Sequence, residues 1–210
     1  MSTSTSPDPI SAPSHRAARA VLVVESDGWL GSRLCDVVET EPGFRLTAVA
    51  MDADQAVSIV ESERCDVAVV GHHPPSESGF KACRELKLTP TPPGVVLCCD
   101  DRDGLLAACA AVADADALIS TYHAGAELPG VLDRVARGVR YLPSVPPAVG
   151  AMIRDRLDAS HYAVFCMLLA GLPAAEVASA LRMSETDLES RRLALLDELE
   201  ALSAARGTGY

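Results

Sequence analysis

Short apolar runs alternate with segments of helical spacing along the first 140 residues, and this alternation limits the fold more than any other feature. The runs are rich in Val, Leu, Ile and Ala, which is typical of strands buried on both faces of a parallel sheet. Right-handed crossovers through the intervening helices then give a doubly wound, five-stranded α/β domain of the flavodoxin-like type. The predicted strands are 20–24, 44–51, 67–70, 94–98 and 115–120, and the predicted helices are 29–40, 53–63, 80–88, 103–112 and 126–139.

A Pro-rich segment separates this domain from a second part that shows helical patterns only. Residues 141–150 contain three prolines and are predicted to be a linker between a first domain, 19–140, and a small all-α domain, 151–210. Helical spacing covers about 148–156, 160–170, 174–181 and 185–199, and the last helix either runs on to about residue 205 or is followed by a truncated element. Residues 1–18 are rich in Ser, Thr and Pro and are predicted to be a disordered tail rather than a signal peptide.

Composition excludes several classes of protein. No apolar run approaches the ~18 residues that a membrane helix needs, so we expect a cytoplasmic protein without membrane contact. The seven cysteines form no CxxC spacing and are predicted to be reduced and buried. No cofactor and no metal site are expected. The net charge of −11 is unusual for a protein that binds nucleic acid, which normally presents a basic face.

Ligands of doubly wound folds bind beyond the carboxyl ends of the strands, so chemistry is expected there. The strand that ends before Gly71 is followed by Pro75 and Gly79. This spacing resembles the third strand and following loop of bacterial response-regulator receiver domains. In that family the residue at Gly71 is the aspartate that accepts a phosphoryl group, and glycine has no side chain to phosphorylate.

The other parts of the family's pocket are also replaced. The resemblance places its acidic pair on Glu25 and Ser26 with Asp27 one step later, its hydroxyl residue on Cys98, its lysine on Ser120 and its aromatic switch on Ala117. A divalent cation would keep too few oxygen ligands for a dedicated site. The sequence therefore predicts a degenerate receiver that works without phosphorylation.

Three uses of the emptied pocket stay open at this point. His72, His73, Cys98 and Cys99 could bind Zn²⁺ or respond to redox state if they met at neighbouring strand ends. Alternate residues of a strand point to opposite faces, which argues against the two cysteines facing one site. A small organic ligand could instead occupy the pocket, or the pocket could be purely structural, which is the interpretation that we favour.

Residues 157–199 resemble the LuxR-type helix-turn-helix of the NarL/FixJ response regulators. The resemblance rests on Gly171 closing one helix, on Glu176-Val177-Ala178 early in the next, and on Leu181-Arg182-Met183-Ser184 before the third. It implies that the helix beginning at Glu185 enters the major groove of DNA. The residues predicted to contact DNA are Arg182, Ser184, Asp187, Glu189, Ser190, Arg191 and Arg192.

Two functions follow from the resemblance and from the charge of this helix. The first is a DNA-binding transcription regulator, an activator by analogy with relatives of this domain order, that binds an inverted repeat as a homodimer. The alternative is a dimerising module that pairs with a related regulator and binds DNA weakly or not at all, as the acidic Asp187 and Glu189 would favour. We predict no enzymatic activity, because no nucleophile–base pair and no phosphate-binding loop is visible.

Overall fold

Five parallel strands form a single sheet in the computed structural model, which describes residues 18–73, 78–100 and 104–207. The strand order β2-β1-β3-β4-β5 confirms the predicted doubly wound α/β fold. The order changes direction at β1 and β3, so the carboxyl ends of these two strands flank the position where such sheets bind ligands. The strands are β1 (Arg19–Val24), β2 (Phe44–Ala50), β3 (Val67–Gly71), β4 (Gly94–Cys99) and β5 (Ala117–Ser120).

Helices cover both faces of the sheet, as the fully apolar strands require. Leu34 and Val38 of α1 pack with Leu128 and Leu132 of α5 on one face. The other face carries α2, α3 and α4, whose apolar side chains form a separate cluster. These helices are α1 (Gly28–Thr40), α2 (Ala53–Ser62), α3 (Gly79–Lys87), α4 (Gly104–Val112) and α5 (Ala124–Val135).

Two boundaries near the last strand differ from the prediction. β5 begins at Ala117 rather than at residue 115, because Asp114 has a positive φ of 64° and Asp116 accepts a hydrogen bond from the Val95 N–H at 2.7 Å. The helix predicted over 126–139 begins at Ala124 and ends at Val135. The chain then runs beside the sheet edge, where Tyr141 pairs with Ala117 in a parallel bridge.

Four more helices complete the described part of the chain. α6 begins inside the segment predicted as a linker, with Pro147 at its first position, where a proline costs no hydrogen bond. α9 runs on to Gly207, which confirms the first of the two alternatives for the end of the chain. The predicted tail lies outside the described residues up to residue 17. These helices are α6 (Pro147–Arg156), α7 (Ala159–Leu169), α8 (Ala174–Leu181) and α9 (Glu185–Gly207).

The C-terminal helices share a hydrophobic core with the sheet. α4 has the sequence GLLAACAAV and is apolar all round, a pattern typical of a helix that is buried on every side. One side of α4 packs against β5 and the other against α7 and α9. Ile153, Leu195 and Leu199 are fully buried in the same cluster as Leu105. No helix among the described residues is long and apolar enough to cross a membrane.

Candidate functional site

The carboxyl ends of β1 and β3 bring together Glu25, Gly71 and His73. Glu25 follows β1 directly, and its side chain is completely buried. Its Oε1 accepts a hydrogen bond from the Asp27 N–H at 2.8 Å and lies 2.7 Å from Nε2 of His73. The sequence did not predict this Glu25–His73 pair, although both residues were placed at neighbouring strand ends.

The Glu25 carboxyl group fills the space in which a side chain at position 71 would stand. A Cβ built on Gly71 would overlap Oε2 of Glu25, and would lie 2.9 Å from Cδ of Glu25 and 3.1 Å from Nε2 of His73. Oε2 itself is buried and has no hydrogen-bond partner in the described ranges. The space beside Gly71 is therefore occupied by the side chains of Glu25 and His73.

Asp27 does not join Glu25 as a second pocket carboxylate. Its Oδ1 accepts hydrogen bonds from the N–H groups of Trp29 at 2.9 Å and Leu30 at 2.8 Å, and so it caps the first turn of α1. Ser26 lies between the two acids and is half-buried. The structure therefore leaves Glu25 as the only acidic side chain of the predicted trio in the pocket.

The residues at the ends of β4 and β5 are buried in the layers on either side of the sheet. Cys98 packs in the cluster under α1 and α5 and Cys99 in the opposite one, as strand alternation predicts. Burial raises the pKa of the Cys98 thiol well above its usual value. Ala117 and Ser120 are also buried. Within the described ranges, no cluster of three or more His, Cys, Asp or Glu residues could hold a metal ion.

His72 is buried against α3 and approaches α9. Its ring packs on Phe80, with 4.4 Å between ring centroids, and its Nδ1 accepts a hydrogen bond from the Gly79 N–H at 3.3 Å. The same nitrogen lies 3.9 Å from Oε1 of Glu200 on α9. Burial, reinforced by His73, lowers the pKa of His72 to about 4, against a partial opposing effect of Asp100.

We expect the stability of the protein to fall as the pH drops from about 6.5 to about 4. In that window the unfolded chain binds a proton on residue 72 and the folded protein does not, because the folded-state pKa of His72 is lowered to about 4. The loss amounts to at most about 3 kcal/mol. Urea unfolding at a series of pH values measures it.

His72→Gln is the control for this pH dependence, because it keeps an acceptor and removes the titration. In this variant, the free energy of unfolding should lose the part of its pH dependence that is due to titration of residue 72. Burial raises the pKa of Glu200, so this group acts in the opposite direction at the acidic end of the curve in both proteins. An equal slope in the wild type and the variant would contradict the assignment to His72.

Five of the seven predicted DNA-contacting residues remain at least partly on the surface around the start of α9. Arg182 ends α8 in the left-handed conformation and is exposed. The Ser184 hydroxyl accepts from the Asp187 N–H at 3.0 Å and donates to Oδ2 of Asp187 at 2.7 Å, which caps α9 and lowers the pKa of Asp187. Ser190 is exposed, and Arg191 is half-buried and hydrogen-bonded to Ser160.

The other two predicted DNA contacts are engaged with the sheet domain. Glu189 accepts two hydrogen bonds from Arg84 of α3, at 2.9 and 2.7 Å. Arg192 is only 4% exposed, and burial together with the neighbouring Arg84 lowers its pKa. These two side chains face α3 rather than solvent.

Further α9 carboxylates make the same type of contact with α3. Asp197 lies 2.5 Å from the Lys81 ammonium, and Glu200 accepts a 2.5 Å hydrogen bond from the Ser78 hydroxyl. The sequence contains a signal for this interface that our prediction did not use. Lys81 and Arg84 are three residues apart on one helix, where side chains share a face, and three spaced acids follow on α9.

No protein-family model matches the chain. The chain is 37% identical over 73 residues to a protein-glutamate methylesterase/protein-glutamine glutaminase of Anaeromyxobacter dehalogenans, a match that covers 34% of this chain and 21% of that protein. The chain therefore spans about a fifth of the length of this curated relative.

Solved structures of response regulators align with larger parts of the chain. RcsB from Salmonella typhimurium aligns with 88% of this chain and 93% of its own at 12% identity, with a TM-score of 0.53. RcsB in complex with DNA aligns with 87% of this chain and 92% of its own at 13% identity, with a TM-score of 0.55. A LuxR-family regulator from Aurantimonas aligns with 66% and 97% of the two chains at 19% identity and a TM-score of 0.55. The resemblance expected from the sequence is confirmed for the fold: the structural neighbours of this chain are LuxR- and NarL-type response regulators.

Proposed function

We propose that this chain is a DNA-binding transcription regulator of the response-regulator type that acts without aspartyl phosphorylation. The observation that carries the proposal is the Glu25 carboxyl group beside Gly71, where a phosphoryl-accepting side chain has neither an atom nor room. The response-regulator fold supports the regulatory part. We place the protein in the cytoplasm, in a regulatory rather than an enzymatic role, and as an activator by analogy with relatives of this domain order.

The DNA-reading part of the proposal rests on α7, α8 and α9 as a helix-turn-helix domain. α8 and α9 are joined by a tight turn in which Arg182 is left-handed and Ser184 caps α9. In such a motif the second helix lies in the major groove with its first turns near the bases. Solved structures of RcsB with DNA support this use of the fold. A homodimer would then read an inverted repeat.

The contacts of α9 divide the seven predicted DNA-binding residues into two groups. Arg182, Ser184, Asp187, Ser190 and Arg191 can meet DNA while α9 stays packed on α3 and α4. Glu189 and Arg192 cannot, because Glu189 is bonded to Arg84 and Arg192 is buried with its guanidinium 3.8 Å from Glu189. We therefore assign the basic contacts to Arg182 and Arg191. With so few cations, the affinity should depend only weakly on salt.

Selection of genomic fragments by the purified full-length protein tests this function. We expect enrichment of a motif with two-fold symmetry in the absence of any phosphoryl donor. Arg182→Ala/Arg191→Ala should lower affinity for that motif about tenfold or more, since each lost contact to a base or phosphate is worth about 1–3 kcal/mol. Fluorescence anisotropy on the selected duplex measures it.

Arg45→Ala/Arg64→Ala is the matched control, because it removes the same charge from exposed positions on the sheet domain. This control should bind as the wild type does. A steep salt dependence, equal losses in the two double variants, or no enriched motif from folded protein would contradict the proposal.

A second function, a dimerising module that pairs with a related regulator, is favoured by one observation. The α9 acids Glu189 and Asp197 bond to α3, and Glu200 bonds to its N-cap Ser78, so that α9 is held against the sheet domain. Arg192 is buried there, which leaves Arg182 and Arg191 of the predicted arginine contacts for DNA. Such a chain would act through a heterodimer. Size-exclusion chromatography with candidate regulators from the same cell tests this function. A stable mixed dimer without selected DNA would support it, and an exclusive homodimer that binds DNA would remove it.

A further inference from the structure

A cavity of about 210 Å³ opens beside the Glu25–His73 pair, between the ends of β1 and β3 and the helices α2 and α3. Its apolar wall is formed by Val24, Val70, Ala53 and Ala82. The volume is that of a small organic molecule rather than of one water. The cavity lies at the point where strand order reverses, which is the usual position of ligands in this type of sheet.

One polar atom of a residue that lines this cavity has no partner among the described residues. Oε2 of Glu25 accepts no hydrogen bond from them, although the Glu25 side chain is completely buried. Buried polar atoms in proteins are nearly always bonded, and an unbonded buried carboxylate oxygen is costly. Glu25 and His73 both line the cavity, and the His73 side chain is 27% exposed, so we place the route of a hydrogen-bond donor to Oε2 beside this imidazole.

The charges around the cavity select the chemistry of that donor. Asp52 and Glu85 line it together with Glu25. The one lysine in the lining, Lys81, is held by Asp197 of α9 at 2.5 Å. Among the described lining residues, the three carboxylates of Glu25, Asp52 and Glu85 therefore outnumber the single lysine, so the site favours a positively charged ligand over an anion.

We propose that this cavity binds a small aliphatic amine. Its ammonium group donates a charge-assisted hydrogen bond to Oε2 of Glu25, and its carbon chain lies against Val24, Ala53 and Val70. The ligand thus satisfies the buried acceptor and fills apolar volume at the same time. The same carboxylates repel a free phosphate anion.

Binding at this site would reach α9 through two residues of the cavity wall. Ser78 and Lys81 line the cavity and also contact Glu200 and Asp197 of α9. An amine could therefore serve as the signal of the proposed regulator. The role of the amine as a signal rests on the proposed function, whereas its binding in the cavity does not. Measuring amine binding in the absence of DNA tests the second statement independently of the first.

Titration of the ¹⁵N-labelled full chain with n-butylammonium chloride tests the proposal, with 1-butanol as the neutral probe of the same shape. We expect saturable shifts of the amides at Ala53, Gly71 and His73 with the amine and much weaker binding of the alcohol. Glu25→Gln should weaken amine binding about tenfold or more, the loss typical of a charge-assisted hydrogen bond. Ala53→Leu should weaken it by filling the cavity while keeping every carboxylate.

Glu61→Gln is the matched control, because this exposed α2 carboxylate lies outside the cavity lining. It should bind the amine as the wild type does. Equal binding of amine and alcohol, unchanged affinity in both Glu25→Gln and Ala53→Leu, or no saturable shift at these amides would overturn the proposal. A loss of amine binding in Ala53→Leu together with unchanged affinity in Glu25→Gln would also overturn it, because the ligand would then be recognised by apolar contacts only.

Discussion

Restoring the family's aspartate by Gly71→Asp is expected to destabilise the protein by about 4 kcal/mol or more, and not to restore phosphorylation. The new Cβ would overlap Oε2 of Glu25 and crowd His73. Overpacking of this type costs about 1–3 kcal/mol. A second buried carboxylate beside that of Glu25 adds the larger part, because two like charges are then desolvated within a few ångströms of each other.

Urea unfolding of three variants separates the steric part from the charge part. Gly71→Ala adds the Cβ alone and should lose about 1–3 kcal/mol. Gly130→Ala is the control in α5, where a Cβ would meet nothing within 4 Å, and helix propensity makes it neutral or stabilising by up to about 1 kcal/mol. The difference between Gly71→Asp and Gly71→Ala then measures the cost of the charge.

Mass spectrometry after incubation with acetyl phosphate and Mg²⁺ checks the chemical half of this prediction. Gly71→Asp should gain no phosphoryl group, because Asp27 is committed to capping α1 and Ser120 replaces the family's lysine. A variant as stable as the wild type that also gains a phosphoryl group would show that the pocket has kept its chemistry. Such a result would contradict the proposal that the protein acts without aspartyl phosphorylation.

Asp27 and Glu25 illustrate what the sequence could and could not predict about this pocket. Strand positions follow from local apolar runs, and so the sequence placed both acids at the end of β1 correctly. The hydrogen-bond partners of a side chain, by contrast, depend on where the folded backbone places neighbouring groups to within a few ångströms, which a local sequence pattern does not give. The carboxylate of Asp27 turned to the start of α1 because a β-to-α turn leaves N–H groups there to be capped. The Glu25 side chain points inward beside Gly71, because glycine leaves space there.

The helical part shows a second limit of prediction from a local pattern. Helical spacing predicted α7, α8 and α9 well, since each depends on residues close in sequence. The role of Arg192 depends on residues 84 and 189, one of which is more than 100 positions away. An arginine beside a turn was therefore assigned to DNA, whereas packing against Arg84 and Glu189 buries it. Long-range ion pairs of this kind have no periodic signature.

Removal of the C-terminal helices is expected to have the largest effect of all. A fragment that ends at residue 146 should aggregate or unfold without a cooperative transition, because α4 loses the helices that cover it. Four fully or nearly fully buried side chains, Ile153, Phe165, Leu195 and Leu199, would leave the shared core. At about 1.5–3 kcal/mol each, their burial is worth about as much as the whole net stability of a typical domain, about 5–15 kcal/mol.

Light scattering, binding of a hydrophobic dye and urea unfolding measure this loss, and the missing helices supply the control. A separate fragment of residues 147–210 added in equal amount should restore a soluble complex, because the lost contacts are not covalent. Restoration would show that the defect lies in the exposed α4 surface and not in damage to the sheet.

A fragment that stays monomeric and unfolds with the stability of the full chain would contradict this prediction. The predicted boundary at 141–150 would then separate two independent domains, α9 could leave α3, and Glu189 and Arg192 would return as candidate DNA contacts. With the expected result, the two parts form one unit. Any contact with DNA must then be made by Arg182, Arg191 and the side of α9 that remains exposed while the helix is packed.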